Sequence, residues 1–506
     1  MCLNQNTLFM SGMKRLAKDT AIYGLSSIVG RFLNWCLFPI YTFKLGTTGD
    51  YGVVNYLYGW TMILMVLLTY GMETGFFRYA NKSENDAKTV YSTVLTSVGL
   101  TTLLFILSGL LFAPNLAKIV TDYGVRTEYI SMLVITVAFD AFCNIPFAYL
   151  RYKNRPIAFA SIKILFILVN IALNLFFLFV CPAIYSTHPE WISWFYRPDY
   201  GVGYIFVSNL IASSVTLLAL VPQMIGIKYI FDSILFKQML KYSFPLLILG
   251  LAGILSQAID KLLLPVMLPD KTTAMAQLGI YGANMRIAVV MVMFTQAFRF
   301  AYEPLVFARS KGTDNKIMYA EAMKYYVIIT LLIFLAIMFY LDIIKVIVKS
   351  TYYSGLPVVP IVMLGQLFFG IYFNLSIWYK LTDKTKWGAY FSIIVCVLTV
   401  VLNIALIPFF GYMGSAWAGL LSNIIITLIS YFMGQKEYPI AYDLKSIFWY
   451  TFLAAVLYTI FLFVDFHTNK LNIPFRTALL AVFIGYMIKK DLPLKDIPLL
   501  NRILKK

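Results

Sequence analysis

Seven charged side chains stand out inside long apolar stretches of the chain: Arg31, Asp140, Asp260, Lys261, Arg286, Arg299 and Glu303. A charge at the centre of a bilayer costs at least ~2.5–3.5 kcal/mol, so one that persists faces a cavity or a partner. Guanidinium groups fork onto phosphate oxygens. Four cations against three carboxylates make a net cationic lining, which suits an anionic, phosphate-bearing ligand better than a cationic one. Asp140, Asp260 and Glu303 are the carboxylates available for ion or proton coupling. Arg299 and Glu303 stand four residues apart, at helical pairing distance. Asp260 and Lys261 are adjacent and project about 100° apart on a helix. One is expected to line the cavity while the other ties helices together. Glu73 and Arg78 sit at a membrane edge, where a structural tie and a ligand role compete. Lys163 is close enough to a helix end to snorkel.

Amide side chains accompany these charges: Asn34, Asn55, Gln257 and Asn284, with Asn170 and Asn174. Such groups either hydrogen-bond between helices or bind sugar hydroxyls, and both readings stay open. Metal and thiol chemistry is not expected. Neither of the two histidines, His188 and His467, has a nearby His, Cys or carboxylate pair, and no two of the five cysteines stand at CxxC spacing. No G-x-x-x-x-G-K-[ST] occurs, so no nucleotide loop is expected. No cofactor is implied.

The elements that hold these residues are membrane spans. Of 506 residues, 60% are hydrophobic and only 13% charged, against about 25% charged in a soluble domain. That composition excludes a cytosolic enzyme, a disordered chain and a disulfide scaffold. At about 20 apolar residues per crossing, fourteen spans are predicted. They run over 19–43, 51–73, 89–112, 127–150, 157–181, 201–224, 242–266, 278–304, 322–346, 356–379, 387–408, 413–434, 444–464 and 472–488. With the N-terminus inside, 27 of the 41 Lys and Arg residues fall on the inner side, 8 on the outer and 6 within spans. This bias predicts both termini in the cytoplasm. The formal charge of +18 therefore sets topology and does not mark a nucleic-acid partner. Membrane lipids are the expected surroundings.

The chain also repeats itself at an offset of 230. Tyr51-Gly52 recurs as Tyr281-Gly282, Glu73 as Glu303 and Phe77 as Phe307. Leu173-Asn174 corresponds loosely to Leu402-Asn403. Six spans per copy give two parallel repeats. The predicted architecture is an all-α polytopic membrane protein with two six-helix lobes around a central cavity, plus a C-terminal helix pair. Its expected segments are 1–18 (cytoplasmic), 19–227, 228–440, 441–490 and a cytoplasmic tail, 491–506.

Six stretches carry a family resemblance: Gly71-Met-Glu-Thr-Gly-Phe-Phe-Arg78, Asp260-Lys-Leu-Leu-Leu-Pro265, Gln296-Ala-Phe-Arg299 with Glu303-Pro304, and Trp378-Tyr-Lys-Leu-Thr-Asp-Lys384 followed by Gly411-Tyr-Met-Gly-Ser-Ala-Trp417. The chain resembles the Wzx-type O-antigen or capsule repeat-unit flippases, polysaccharide-biosynthesis proteins of the multidrug/oligosaccharidyl-lipid/polysaccharide exporter superfamily. The resemblance implies a non-enzymatic transporter of the bacterial inner membrane. Its cargo would be undecaprenyl-diphosphate-linked oligosaccharide, and its partners a polysaccharide polymerase and glycosyltransferases. Arg31, Arg286, Lys261 and Arg299, with the four amides, would bind diphosphate and glycan. Asp140, Asp260, Glu73 and Glu303 would couple ions or hold structure. Lipid II flippases of the superfamily use arginines in helices 1, 2 and 8. Here the second span has none before Arg78, which argues against that cargo. A cation/drug antiporter predicts twelve spans and an acidic cavity. A membrane polymerase needs a larger outer loop than 182–200.

Overall fold

The structure is a computed structural model that describes residues 29–30, 32–82, 86–308, 315–382, 384, 386–464, 466 and 469–491. Among them, every regular element is helical. Twelve helices are long and apolar enough to cross a membrane, and a bent pair makes a thirteenth. These thirteen match the second to fourteenth predicted spans. The first prediction, 19–43, falls largely outside the described residues, so the count of fourteen is approximate.

We number the main helices α1 Leu37–Lys44, α2 Thr48–Thr69, α3 Met72–Ala80, α4 Ala87–Ile119, α5 Thr127–Tyr152, α6 Pro156–Leu175, α7 Gly201–Leu220 and α8 Ser233–Met267. They continue as α9 Lys271–Ile287, α10 Val289–Ala308, α11 Asn315–Phe339, α12 Val358–Leu375, α13 Lys386–Phe410, α14 Tyr412–Glu437, α15 Leu444–Phe463 and α16 Asn469–Lys490. Polar caps start several of them. Thr47 and Asp50 form a reciprocal capping box on α2. Asp86, Asp232 and Asp443 accept backbone N–H groups at the starts of α4, α8 and α15.

Two of the predicted spans are broken. Between α2 and α3 the chain turns through Tyr70 (φ 29°) and Gly71 (φ 73°). Gly71 takes the left-handed conformation that glycine adopts without steric cost, and Ser243 Oγ donates to its carbonyl. The eighth predicted span, 278–304, is not one helix. It is α9 and α10, bent by 47° after Ile287. No glycine or proline stands at Ile287-Ala288-Val289, the usual causes of a kink.

By internal contacts the chain forms two units. Of the described residues, one comprises those up to Arg286 with Ser392–Ser415, and the other those of Ile287–Phe391 with those from Ala416 onward. In the first, Met72, Phe76, Val90, Tyr91, Val94 and Met239 build a dry cluster, in which Tyr91 stacks on Tyr149 at 4.0 Å. In the second, Tyr302, Val306, Tyr319, Phe373 and Ile377 form another. Large apolar side chains point outward along α4 (Leu103, Leu104, Leu107, Leu111) and α15 (Phe448, Phe452). That is how a lipid-facing helix presents itself, since lipid replaces the core as its apolar solvent.

Candidate functional site

Arg286 stands in the last turn of α9. It lies within electrostatic reach of the phenols of Tyr41, Tyr51 and Tyr58. The first belongs to α1 and the others to α2. Tyr58 Oη accepts a bond from Asn209 Nδ2 on α7 at 2.6 Å. Among the described residues no carboxylate pairs with Arg286. Its carbonyl, at the end of α9, accepts a bond from Trp35 Nε1 at 2.8 Å. A neighbouring side chain thus satisfies a backbone acceptor beside the break, as membrane helices require. Sequence reasoning does not single out Trp35, Tyr41, Tyr51 or Tyr58 as site residues. Tyr51 is visible as half of the repeated Tyr-Gly pair, but its type alone says nothing of a guanidinium.

Asp260 and Lys261 are each other's partners. Lys261 Nζ curls back to Asp260 at 3.0 and 3.2 Å and also donates to the Gln257 carbonyl at 2.9 Å. The flexible lysine stem bridges the angle between adjacent positions, so the expectation that the two would serve separate partners is corrected. Asp260 also accepts from Tyr281 Oη of α9 at 2.9 Å. The two repeat-related tyrosines therefore face opposite charges: Tyr51 a guanidinium and Tyr281 a carboxylate.

Asp140 on α5 accepts from Ser213 Oγ of α7 at 2.7 Å. Lys163 and Tyr58 lie in its electrostatic surroundings. Lys163 does not simply reach for the interface: its ammonium sits over the Phe147 ring, 4.1 Å from the centroid.

The Arg299–Glu303 pair expected from spacing is not the one formed. Glu303 Oε1 accepts from Lys380 Nζ at 3.1 Å, and Arg299 stacks over Phe373 at 4.2 Å. Lys380 lies over the same ring at 4.9 Å. A charge partner on another helix and a ring face win over the weak i,i+4 pair. In the first repeat, Glu73 pairs with Arg151, while Arg78 stacks over Tyr242 at 4.1 Å.

The amides divide. Asn55 and Asn284 are buried and donate back to the carbonyls of Tyr51 and Ile280. Asn34 and Gln257 are exposed. Asn174 donates to the Asn170 carbonyl, and Asn403, its repeat counterpart, to that of Thr399. Arg31 lies outside the described residues. Among those described, no group of three or more metal-ligating side chains comes together. A cavity of about 870 Å³ opens in the first unit beside Lys44, Asp50, Arg126, Glu128, Tyr129 and Asp199. None of the predicted site residues lines it.

Helical spans, a bent eighth span and charges buried between helices define a polytopic membrane protein. Solved structures agree. The fold is similar to a lipid II flippase, MurJ, in an inward closed conformation (TM-score 0.72, 16% identity, covering 92% of this chain and 98% of that one). It is also similar to an inward-facing multidrug resistance MATE transporter (TM-score 0.63, 14% identity, 83% and 97%). A third is the MATE multidrug transporter DinF-BH (TM-score 0.57, 17% identity, 84% and 96%). No curated protein sequence matches. Residues 16–301 match the polysaccharide biosynthesis protein family and residues 271–405 the MatE family. The first match spans more than half of the chain, which belongs to the polysaccharide biosynthesis protein family.

Proposed function

We propose that the protein moves polyprenyl-diphosphate-linked oligosaccharide, of the undecaprenyl type, across the bacterial inner membrane from the cytoplasmic to the outer leaflet. The observation that carries this reading is Arg286. It is a guanidinium inside a membrane span, bordered by phenols and paired with no carboxylate among the described residues, in a chain of the polysaccharide biosynthesis family. Such a group invites a diphosphate, whose oxygens match its fork. Arg31 and Lys261 are assigned to the same anion, the latter once it is drawn from Asp260. Arg299, Asn34, Asn55, Gln257 and Asn284 complete the set offered to glycan and phosphate. The two halves, 19–227 and 228–440, rock to expose the site to each side in turn, while the polyprenyl chain stays in lipid.

An ion gradient or the membrane potential supplies the energy, through Asp140 or Asp260. Glu73 and Glu303 are assigned to structure. A polysaccharide polymerase and glycosyltransferases act beside the transporter, and both termini lie in the cytoplasm. The test is reconstitution in liposomes with fluorescent polyprenyl-diphosphate oligosaccharide, lipid II and a cationic dye offered in parallel. Translocation of the oligosaccharide alone is expected. Movement of lipid II or dye at the same rate overturns the assignment.

A further inference from the structure

The cavity of about 870 Å³ in the first unit contains none of the residues assigned to transport, yet it has the makings of a binding site. Several chain ends meet around it. Lys44 ends α1, Asp50 lies in the first turn of α2, Thr127 opens α5 and Gly201 opens α7. Its apolar lining, Leu45, Ala117, Val125 and Val202, is buried. Its charged residues Lys44, Arg126, Glu128 and Asp199 are exposed. The volume falls within the range of about 300–1,000 Å³ that small-ligand sites occupy.

The charges do not single out an ion. Two cations, Lys44 and Arg126, alternate with three carboxylates, Asp50, Glu128 and Asp199. An anion would meet the carboxylates, and a cation would meet the ammonium and the guanidinium. Among the described residues, no three metal-ligating side chains come together. The groups are also only loosely spent on one another. Arg126 Nη1 stands 3.9 Å from Asp199 Oδ2, with both side chains largely in water. Lys44 Nζ rests over the Phe179 ring, 4.2 Å from its centroid. Asp50 Oδ2 accepts the Thr47 N–H at 2.8 Å. Arg126 gives α5 no side-chain cap, so the first backbone N–H groups of that helix remain donors. A sugar suits such a lining. Each hydroxyl both donates and accepts, so it bridges a carboxylate to a guanidinium or a backbone N–H, while the C–H faces of the ring lie on the apolar residues. In the topology proposed above the cavity opens on the outer side, where the glycan emerges.

We propose that this cavity is an outer subsite for the neutral oligosaccharide part of the cargo. Asp50, Glu128 and Asp199 accept from its hydroxyls, and Lys44, Arg126 and the start of α5 donate to them. This rests on the lipid-linked oligosaccharide reading above and adds a subsite that shares no residue with the surroundings of Arg286. Once the sugars are held there, the diphosphate leaves Arg286 without the cargo sliding back.

The test uses the full chain in lipid nanodiscs. The probe is the repeat-unit oligosaccharide freed from its polyprenyl diphosphate by mild acid, with binding measured by calorimetry. Thr127→Trp, which places an indole in the cavity, should weaken binding by about tenfold or more. So should Glu128→Ala combined with Asp199→Ala, which removes two charged acceptors. The melting temperature of this second variant should stay near the parent's, because the Arg126–Asp199 pair is exposed. Inorganic pyrophosphate or calcium chloride in excess should leave the binding lost in these variants undisturbed in the parent. Displacement by either ion, or equal affinity in the parent and both variants, overturns the subsite. Translocation of lipid-linked oligosaccharide without cavity-dependent binding overturns the subsite and leaves the cargo reading standing. Cavity-dependent binding without translocation upholds the subsite and overturns the cargo.

Discussion

Glu73 stands in α3 of the first repeat and Glu303 in α10 of the second, and the two are satisfied alike. Each pairs with a basic residue far along its own copy: Arg151, 78 positions on, and Lys380, 77 positions on. Phe77 lies under the Arg151 guanidinium and Phe373 under the Lys380 ammonium. Arg286 is the contrast. At an offset of 230 its counterpart is Tyr56, and α2 runs straight past that point where the second copy breaks. At the same offset Asp140 meets Gly370, and in the first span of each copy, where Pro39 corresponds to Pro265, Asp260 meets Asn34; neither counterpart is charged. What both copies keep holds the fold. What one copy alone carries is what the proposal above assigns to cargo and coupling.

The sharpest way to break this comparison is to remove Arg286. Arg286→Ala should lower transport by roughly 10–100-fold, the value of lost charged hydrogen bonds, while the amount of protein in the membrane stays unchanged. Arg286→Lys, which keeps the charge without the fork, should fall between. Loss of the protein itself would instead make Arg286 a structural residue. The next largest effect is expected at Asp260. Asp260→Asn keeps an acceptor for Tyr281 but releases Lys261, so transport should drop about tenfold and change its dependence on the driving gradient. Unchanged transport at every gradient would remove Asp260 from the mechanism.

The duplicated pairs predict the opposite pattern. Glu73→Gln and Glu303→Gln should each cost about 1 kcal/mol, since both pairs are partly exposed. That loss is read as a lower melting temperature of the purified protein, with transport per folded molecule near normal. Glu73→Arg combined with Arg151→Glu should regain most of the loss. A transport defect that the swap does not repair would move Glu73 from tie to site.

The sequence is informative where physics acts locally. Apolar length predicts thirteen spans that the structure contains, and the recurring Glu73 and Glu303 point to equivalent ties. It misleads where a long side chain has a choice. Lys261 folds onto its own neighbour, and Glu303 prefers Lys380 to Arg299, because partners brought by other helices are invisible to spacing. The break after Ile287 has no glycine or proline to announce it. The phenols around Arg286 are hidden for a different reason: among 36 tyrosines, only the fold says which three face a guanidinium.

The smallest predicted effect tests the repeat itself. Asn174 and Asn403 are fully buried, and each donates its amide to the carbonyl four residues back, at 2.8 and 2.7 Å. In both, the Oδ1 atom finds no partner among the described residues. Polar contacts inside membrane bundles average about 0.6 kcal/mol, so Asn403→Ala should shift the melting temperature only slightly and leave transport intact. Asn174→Ala should cost somewhat more, because Asn174 Nδ2 also donates to Asn170 Oδ1 at 2.9 Å, and that oxygen would lose its donor in a dry setting. The second copy has Thr399 in place of Asn170, and its hydroxyl is already spent on the Val395 carbonyl. Equal small losses would mean the amides act as duplicated helix glue alone. A transport defect confined to Asn174→Ala would mark the first copy's amide pair as part of the path, and the line between duplicated structure and single-copy function would then have to be drawn through span five.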